Sequence, residues 1–273
     1  MNPNFQSPGS VASIKRLARA ISSSTGQKYS DALEIAAERG GYNSFHDAVH
    51  STSSAVVGKL SVTIVEYWRD ASAKEAGTVK LEMKLTQPLP QLVKPHHLDG
   101  RLANFRLVNH DTLDGRTTLN CQESTAKWFA ARTARTLQFM DATGLKPCAK
   151  DSGIWPQRDI NSRIPDGDHC VTWYHPELKK YVATDEPYHG VLRPDDPERR
   201  AWCEKYGYVL QPVIWGGMHN PDPGNVGGTR LYLIAKAADN VPLNTLAATL
   251  NRLPPPVGND VGLVSKRSIR VLR

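Results

Sequence analysis

From Thr78 to Thr86 the side chains alternate without a break, Val79, Leu81, Met83 and Leu85 on one side and Lys80, Glu82 and Lys84 on the other. Successive side chains of a β-strand point to opposite faces, so this period of two predicts a strand that is apolar on one face and wet on the other. Such a strand needs a partner and a layer to cover its apolar face. Lys59 to Trp68 supplies the partner, with Leu60, Val62 and Ile64 alternating against Ser61, Thr63 and Val65. The short separation predicts an antiparallel pair. Pro88 and Pro90 end the second strand, because proline cannot donate to a ladder. Asn104 to Asn109 reads as a further short strand.

The chain before this pair has a different period. Val11, Ile14, Leu17, Ala18 and Ile21 recur at helical spacing, with Ser10 as the cap and Gly26 as the stop. Ser30 opens a second helix whose apolar face is Ala32, Leu33, Ile35, Ala36 and Ala37. Gly40-Gly41 closes it, and Ser44 caps a third, short helix from Phe45 to His50. Ser51 to Ser54 reads as a linker.

After the strand pair, Gln122 to Thr143 is the longest predicted helix, with Ala126, Phe129, Ala130, Thr133, Leu137 and Met140 on one face. Glu123 stands one turn before Lys127, and Gly144 ends the helix. Residues 145–166 read as irregular. His169–Tyr174 and Tyr181–Thr184 form a predicted hairpin around Pro176-Glu177-Leu178, whose symmetry places Cys170 opposite Asp185 and Thr172 opposite Ala183. Pro197–Tyr206 is a helix closed by Gly207, Tyr208–Trp215 and Thr229–Lys236 are strands, and Pro242–Leu253 is a last helix stopped by Pro254-Pro255-Pro256. The expected architecture is α+β, with roughly six or seven mostly antiparallel strands and packed helices. The expected division is a helical module over 1–54, an α+β domain over 55–253 and a basic C-terminal tail over 254–273.

Composition sets the class. With 273 residues, 40% of them hydrophobic and 22% charged, the chain is large enough for one sizeable core and is neither a disordered polyelectrolyte nor a collagen-like repeat. Its four cysteines, Cys121, Cys148, Cys170 and Cys203, are too sparse for a disulfide scaffold and contain no Cys-x-x-Cys pair. Met1 to Ser10 lacks the basic start and apolar run of a signal peptide. No apolar stretch is long enough for a bilayer. These features predict a cytoplasmic protein with reduced thiols, no membrane partner and no cofactor.

Lys+Arg total 34 against 27 Asp+Glu, a net +7. Over 252–273, Arg252, Lys266, Arg267, Arg270 and Arg273 face Asp260 alone, so that segment carries a net +4. A basic arm of this kind neutralises phosphates. It also serves as a solvated end that aids solubility. The first helix adds Lys15, Arg16 and Arg19. On the long helix, Trp128, Arg132 and Arg135 share a side, a combination that stacks on bases and holds phosphates or that packs an arginine stem over a tryptophan.

The series Ile14-Lys15-Arg16-Leu17-Ala18, Gly26, Ser30-Asp31-Ala32-Leu33-Glu34, Ala37 and Gly41-Tyr42-Asn43-Ser44-Phe45-His46 resembles a bacterial helical module that precedes several domains, some of them glyoxalase-like. The whole chain is similar to an uncharacterised bacterial family, a domain of unknown function met on plasmids and integrated elements. The resemblance implies a setting in mobile elements and implies no catalytic residue. The His and Glu placement of glyoxalase metal sites does not follow the module here.

Several groups carry chemistry by type. His46 and His50 stand one turn apart beside Asp47, as metal pairs do, but with no third ligand nearby a packing or capping role is the favoured reading. His96-His97 reads as loop. The densest polar stretch is Asp166, Asp168, His169 and Cys170, followed by His175, Asp185, Glu186 and His189. A thiol beside imidazole and carboxylate is a nucleophile candidate, which nominates His169, Cys170, Asp185 and His189. The same residue types also gather at hairpin ends for turn chemistry. The loop 215–228 holds Trp215, Met218, His219, Asn220 and Asp222 among glycines and contains no phosphate-cradling Gly-Lys-Ser/Thr. No metal set is nominated.

Two functions stand open. One is a bacterial binding or adaptor protein acting on nucleic acid or a ribonucleoprotein through Lys15, Arg16, Arg19, Arg132, Arg135, Lys266, Arg267 and Arg270, and this is the one the charge distribution favours. The other is a hydrolase with its site between residues 166–189 and the 215–228 loop. A protein partner for the sheet is a third.

Overall fold

The computed structural model describes residues 11–39, 44–46, 60–94, 102, 105–115, 121–148, 154–156, 164–192, 196–222 and 226–268. The chain divides into two compact units, Met1–Gly58 and Lys59–Arg273.

In the first unit, α1 (Val11–Thr25) and α2 (Tyr29–Arg39) pack on each other. Ile14, Ala18 and Ile21 of α1 and Ala32, Ala36 and Ala37 of α2 are buried in one small cluster, with Leu17, Leu33, Ile35 and Phe45 at its margin. Alanine on the α2 face removes the bulk that would hold the helices apart. The Glu34 carboxylate accepts a hydrogen bond from the Phe45 N–H at 2.8 Å. Gly40-Gly41, Asp47, His50 and the linker Ser51–Ser54 lie outside the described residues.

The second unit is α+β. Among the described residues it contains two five-stranded sheets. The first is built around β1 (Leu60–Asp70) and β2 (Glu75–Leu85), antiparallel from Leu60↔Leu85 to Asp70↔Glu75. Both strands run further than their hydropathy predicted. Toward the turn, β1 reaches Asp70 rather than Trp68 and β2 starts at Glu75 rather than Thr78, and Ala76 continues the inward period of β2. Asp70 closes the turn by accepting the Ser72 and Ala73 N–H groups at 2.9 and 3.0 Å. After a short helix α3 (Leu89–Leu92), β3 (Phe105–Asn109) and β4 (Thr112–Gly115) complete one side, with β4 parallel to β1.

The long helix α4 (Glu123–Thr143) lies across β1 and β2. Its Ala126, Ala130, Ala134 and Leu137 share one core with Val62, Ile64, Val79 and Leu81. Gly144, at φ 70°, takes the left-handed position that ends the helix.

The second sheet follows: β5 (Lys146–Pro147), β6 (Val171–His175), β7 (Lys180–Asp185), β8 (Tyr208–Pro212) and β9 (Tyr232–Lys236), in the order β5-β6-β7-β9-β8 and antiparallel throughout. Trp173, Val182 and Leu233 from one face join the core around α4, where the Phe139 and Trp173 rings meet at 4.7 Å between centroids. The opposite face, with Ala183 and Ile234, is covered by Trp202 and Cys203 of α5 (Pro197–Tyr206) together with Ile154 and Ile164. The last helix, α6 (Leu243–Asn251), buries Leu243, Leu246 and Leu250.

The end of the chain differs from the expected basic arm. Leu263–Ser268 is a strand, β10, paired antiparallel with β2 from Leu263↔Lys80 to Ser268↔Glu75. Its side chains are almost all exposed, so it carries no apolar face and gave no periodic signal. Backbone pairing to an open edge is what holds it. Lys266 is tied to the Glu123 carboxylate at 2.6 Å and sits 5.7 Å from the centre of the Trp68 ring.

Candidate active site

The site is organised by two consecutive carboxylates at the end of β7. Alternation along a strand sends neighbours to opposite faces, and Asp185 contacts an arginine on its side while Glu186 lies in the field of two on the other. Asp185 points toward α5 and pairs with the Arg199 guanidinium, both side chains fully buried. Arg199 also donates to the Pro165 carbonyl at 2.9 Å and lies 4.7 Å from the centre of the Tyr232 ring. Glu186 points toward α4 and is in the field of Arg132 and Arg135.

Asp185 fixes the segment that enters β6. Its Oδ1 accepts the Asp168 N–H at 2.8 Å and the Cys170 thiol at 3.1 Å. The expected register is present: Thr172 pairs with Ala183 and Val171 with Thr184. The predicted meeting of Cys170 with Asp185 is therefore a direct contact. Burial pushes the Asp185 carboxyl above the ordinary carboxylate value, against the pull of the adjacent Arg199 and of the donors that it accepts.

Beside this contact is a cavity of about 280 Å³, lined by Trp155, Ile164, Gly167, Asp168, His169 and Cys170. Gly167 is needed there, since a Cβ at that position would stand 2.7 Å from Ile164 Cγ2 and 2.9 Å from its carbonyl oxygen. His169 of the lining, at φ 50°, and Asp166, next to Gly167 in the chain at φ 51°, hold left-handed backbone without being glycine. That conformation costs about 1–2 kcal/mol per residue and tends to gather at working sites.

His169 is held from several directions. Its backbone N–H donates to Asp168 Oδ1 at 2.7 Å, and its Nδ1 lies 3.4 Å from the same oxygen. Its Nε2 is 3.3 Å from the Tyr188 hydroxyl. Its ring stacks on that of His219, with centroids 3.4 Å apart and planes 16° from parallel. His219 was not among the nominated residues. Its position in a glycine-rich loop was legible, but its pairing across fifty residues left no local trace in the sequence.

The loop that carries His219 is anchored by the second carboxylate. Glu186 Oε2 accepts the Met218 and His219 N–H groups at 2.7 and 2.8 Å. Arg135 donates from Nε to the Met218 carbonyl at 2.8 Å, from Nη2 to the His219 carbonyl at 2.8 Å, and from Nη1 to the Val257 carbonyl and Asn259. Burial draws the Arg135 guanidinium down to about 10.

The other nominated residues are scattered. Arg135 is fully buried and spent on this loop, which removes it from any surface for nucleic acid. Arg132 is half-buried with its guanidinium 5.1 Å from the centre of the Trp128 ring, the packing arrangement weighed above. Lys266 is engaged by Glu123. Lys15, Arg19 and Arg267 are exposed. His189 is half-buried, and its backbone N–H donates to the Gly228 carbonyl at 2.8 Å. His175 accepts from the Leu178 N–H in the hairpin turn, a structural role. His46 is exposed. The side chain of Arg16, together with His96, His97 and Arg270, lies outside the described residues. Among the described residues no three His, Cys, Asp or Glu side chains converge as a metal site, and no helix is long and apolar enough to cross a membrane.

No family model matches the chain, and neither a curated protein nor a solved structure matches it.

Proposed function

We propose that the chain is a hydrolase of small acyl compounds, with Cys170 as nucleophile and Asp185 as the base that receives its proton. The observation that carries the reading is the 3.1 Å contact of the Cys170 thiol with Asp185, at the wall of a cavity that His169 also lines. A carboxyl raised by burial holds a proton more readily than an ordinary one, which suits it to take the proton of a neighbouring thiol.

The reaction balances as follows. The thiol proton passes to Asp185, and the sulfur forms a bond to the carbonyl carbon of the substrate. A protonated imidazole of the His169 pair gives its proton to the leaving group as the carbonyl–heteroatom bond breaks. Water then attacks the thioester and gives a proton to the same imidazole. The sulfur leaves and recovers its proton from Asp185. The net change is one acyl bond hydrolysed by one water.

Treating the full chain with p-nitrophenyl acetate, quenching in acid and mapping peptides by mass spectrometry tests this. The expected result is a single acetyl group on Cys170, absent in Cys170→Ser. Acetylation spread over lysines, with Cys170 untouched, contradicts the reading.

A second reading is supported by Lys15 and Arg19, which are exposed one turn apart on α1. With the likeness to bacterial mobile-element proteins, they support a nucleic-acid contact made by the N-terminal unit in the bacterial cytoplasm. Binding of this kind loses roughly one unit of log–log salt slope per phosphate contact removed. Lys15→Ala with Arg19→Ala is expected to flatten the slope by about two units. Failure of the intact chain to bind DNA or RNA at low salt ends this second reading.

A further inference from the structure

We infer that His169 and His219 form one electrostatically coupled acid–base pair, in which a proton on one stacked ring opposes a proton on the other, and that Glu186 and Arg135 are the positioning residues that fix its second ring. The inference rests on the proposed hydrolase for its thiol partner and adds a second ring that tunes the proton affinity of His169.

The geometry of the pair is closely constrained. The rings face each other at 3.4 Å, 16° from parallel. Neither segment is free to slide. On one side, His169 is locked by its left-handed backbone and by Asp168 and Tyr188. On the other, the backbone of residues 218–219 is gripped through its N–H groups by Glu186 and through its carbonyls by Arg135. Gly217, at φ 104°, makes the grip possible, because a Cβ there would come within 2.5 Å of Glu186 Oε2. The Trp128 ring closes the outer side of His219, edge to face at 5.3 Å.

Two imidazolium rings at this distance repel strongly, so the second proton binds at much lower pH than the first. The charged and titratable neighbours act on both rings. From the segment before β6, Asp168 favours a proton on His169, and Cys170 lies next in sequence. From the segment after β7, Tyr188 faces His169, while Asp185 and Glu186 add negative charge. From α4, Arg132 and Arg135 oppose a charge on His219. A carboxylate stands by each ring, Asp168 3.4 Å from His169 Nδ1 and Glu186 on the His219 backbone N–H, so the stacking itself sets the cost of placing a second proton on the pair. Such a unit gives one proton to the leaving group and takes one from the attacking water, as the two halves of the reaction need.

Histidine-selective NMR of the full chain tests the inference, with the two rings assigned by His169→Gln and His219→Gln. Both resonances are expected to report the same two steps, separated by more than about one pH unit. In His219→Gln the His169 ring is expected to titrate in one step. Glu186→Gln keeps a carbonyl oxygen for the two loop N–H groups and is expected to keep the two-step behaviour. Glu186→Ala releases the loop and is expected to lose it, with the amide spectrum showing that the fold persists. Independent single-step curves for His169 and His219 in the unaltered chain overturn the inference. Paired titration without acylation of Cys170 leaves the unit standing and refutes the hydrolase. Acylation with independent titration does the reverse.

Discussion

Asp185 and Arg199 are fully buried, and the pair is the residue-level hinge of the site. Breaking a buried pair from one side leaves a charge without its partner and costs about 3–5 kcal/mol. Arg199→Met is expected to lower the urea midpoint accordingly and to loosen the 166–170 segment. Little change in the midpoint contradicts the role given to the pair. Gly217→Ala sets a side chain against Glu186 Oε2 from a backbone at φ 104°. A loss of about 1–3 kcal/mol is expected, read by thermal unfolding. Some of this was legible beforehand. Hairpin symmetry alone placed Cys170 against Asp185, because register fixes which residues face each other. The stacking of His219 on His169 was not legible, since nothing local in either segment encodes a contact made through the tertiary fold.

At the scale of elements, β10 shows where hydropathy stops being informative. Residues 263–268 were expected as part of a solvated basic arm because Lys266 and Arg267 stand in a stretch with a large excess of positive charge. Their structure comes from pairing with the edge of β2 and from the Lys266–Glu123 contact. The two lysines beside Glu123, Lys266 first and then Lys127, hold its carboxyl below the ordinary 4.5. The stabilisation from this contact is therefore full above pH 4.5 and is lost as the pH falls through the lower, folded value. On the alkaline side, Glu123 holds the Lys266 ammonium above the usual 10.5, so the contact weakens only as the pH rises beyond that. Amide exchange across β10 is expected to quicken at acid pH relative to β1. In Glu123→Gln it is expected to be quick already near pH 6. Equal protection of β10 in both chains at both pH values contradicts this account. The hairpin of β1 and β2, by contrast, was readable except for its tip, where the charged residues Arg69, Asp70 and Glu75 hid the last pairs of the ladder and the inward place of Ala76.

For the molecule as a whole, one core serves both sheets of the second unit, with α4 inside it and Phe139 against Trp173 at the junction. Phe139→Ala is expected to cost about 3–5 kcal/mol. Because the core is continuous, intrinsic fluorescence from the six tryptophans, all in the second unit, and far-UV ellipticity are expected to report that loss at one common midpoint for the second unit. Separate transitions for the two sheets contradict a shared core. The α+β class was legible from the change of period after the first helices. The pairing of the ten strands among the described residues into two sheets was not, because short strands such as Lys146–Pro147 carry no period of their own. The central claim is that the thiol of Cys170 reacts because Asp185 takes its proton. The pH dependence of Cys170 acylation by p-nitrophenyl acetate tests it most directly, in the unaltered chain and in Asp185→Asn. The account predicts an acid limb above pH 3.8, set by the raised Asp185 carboxyl, and its disappearance in Asp185→Asn together with a fall in rate of about 100-fold. Superimposable profiles in the two chains would mean that Cys170 is an exposed thiol and nothing more.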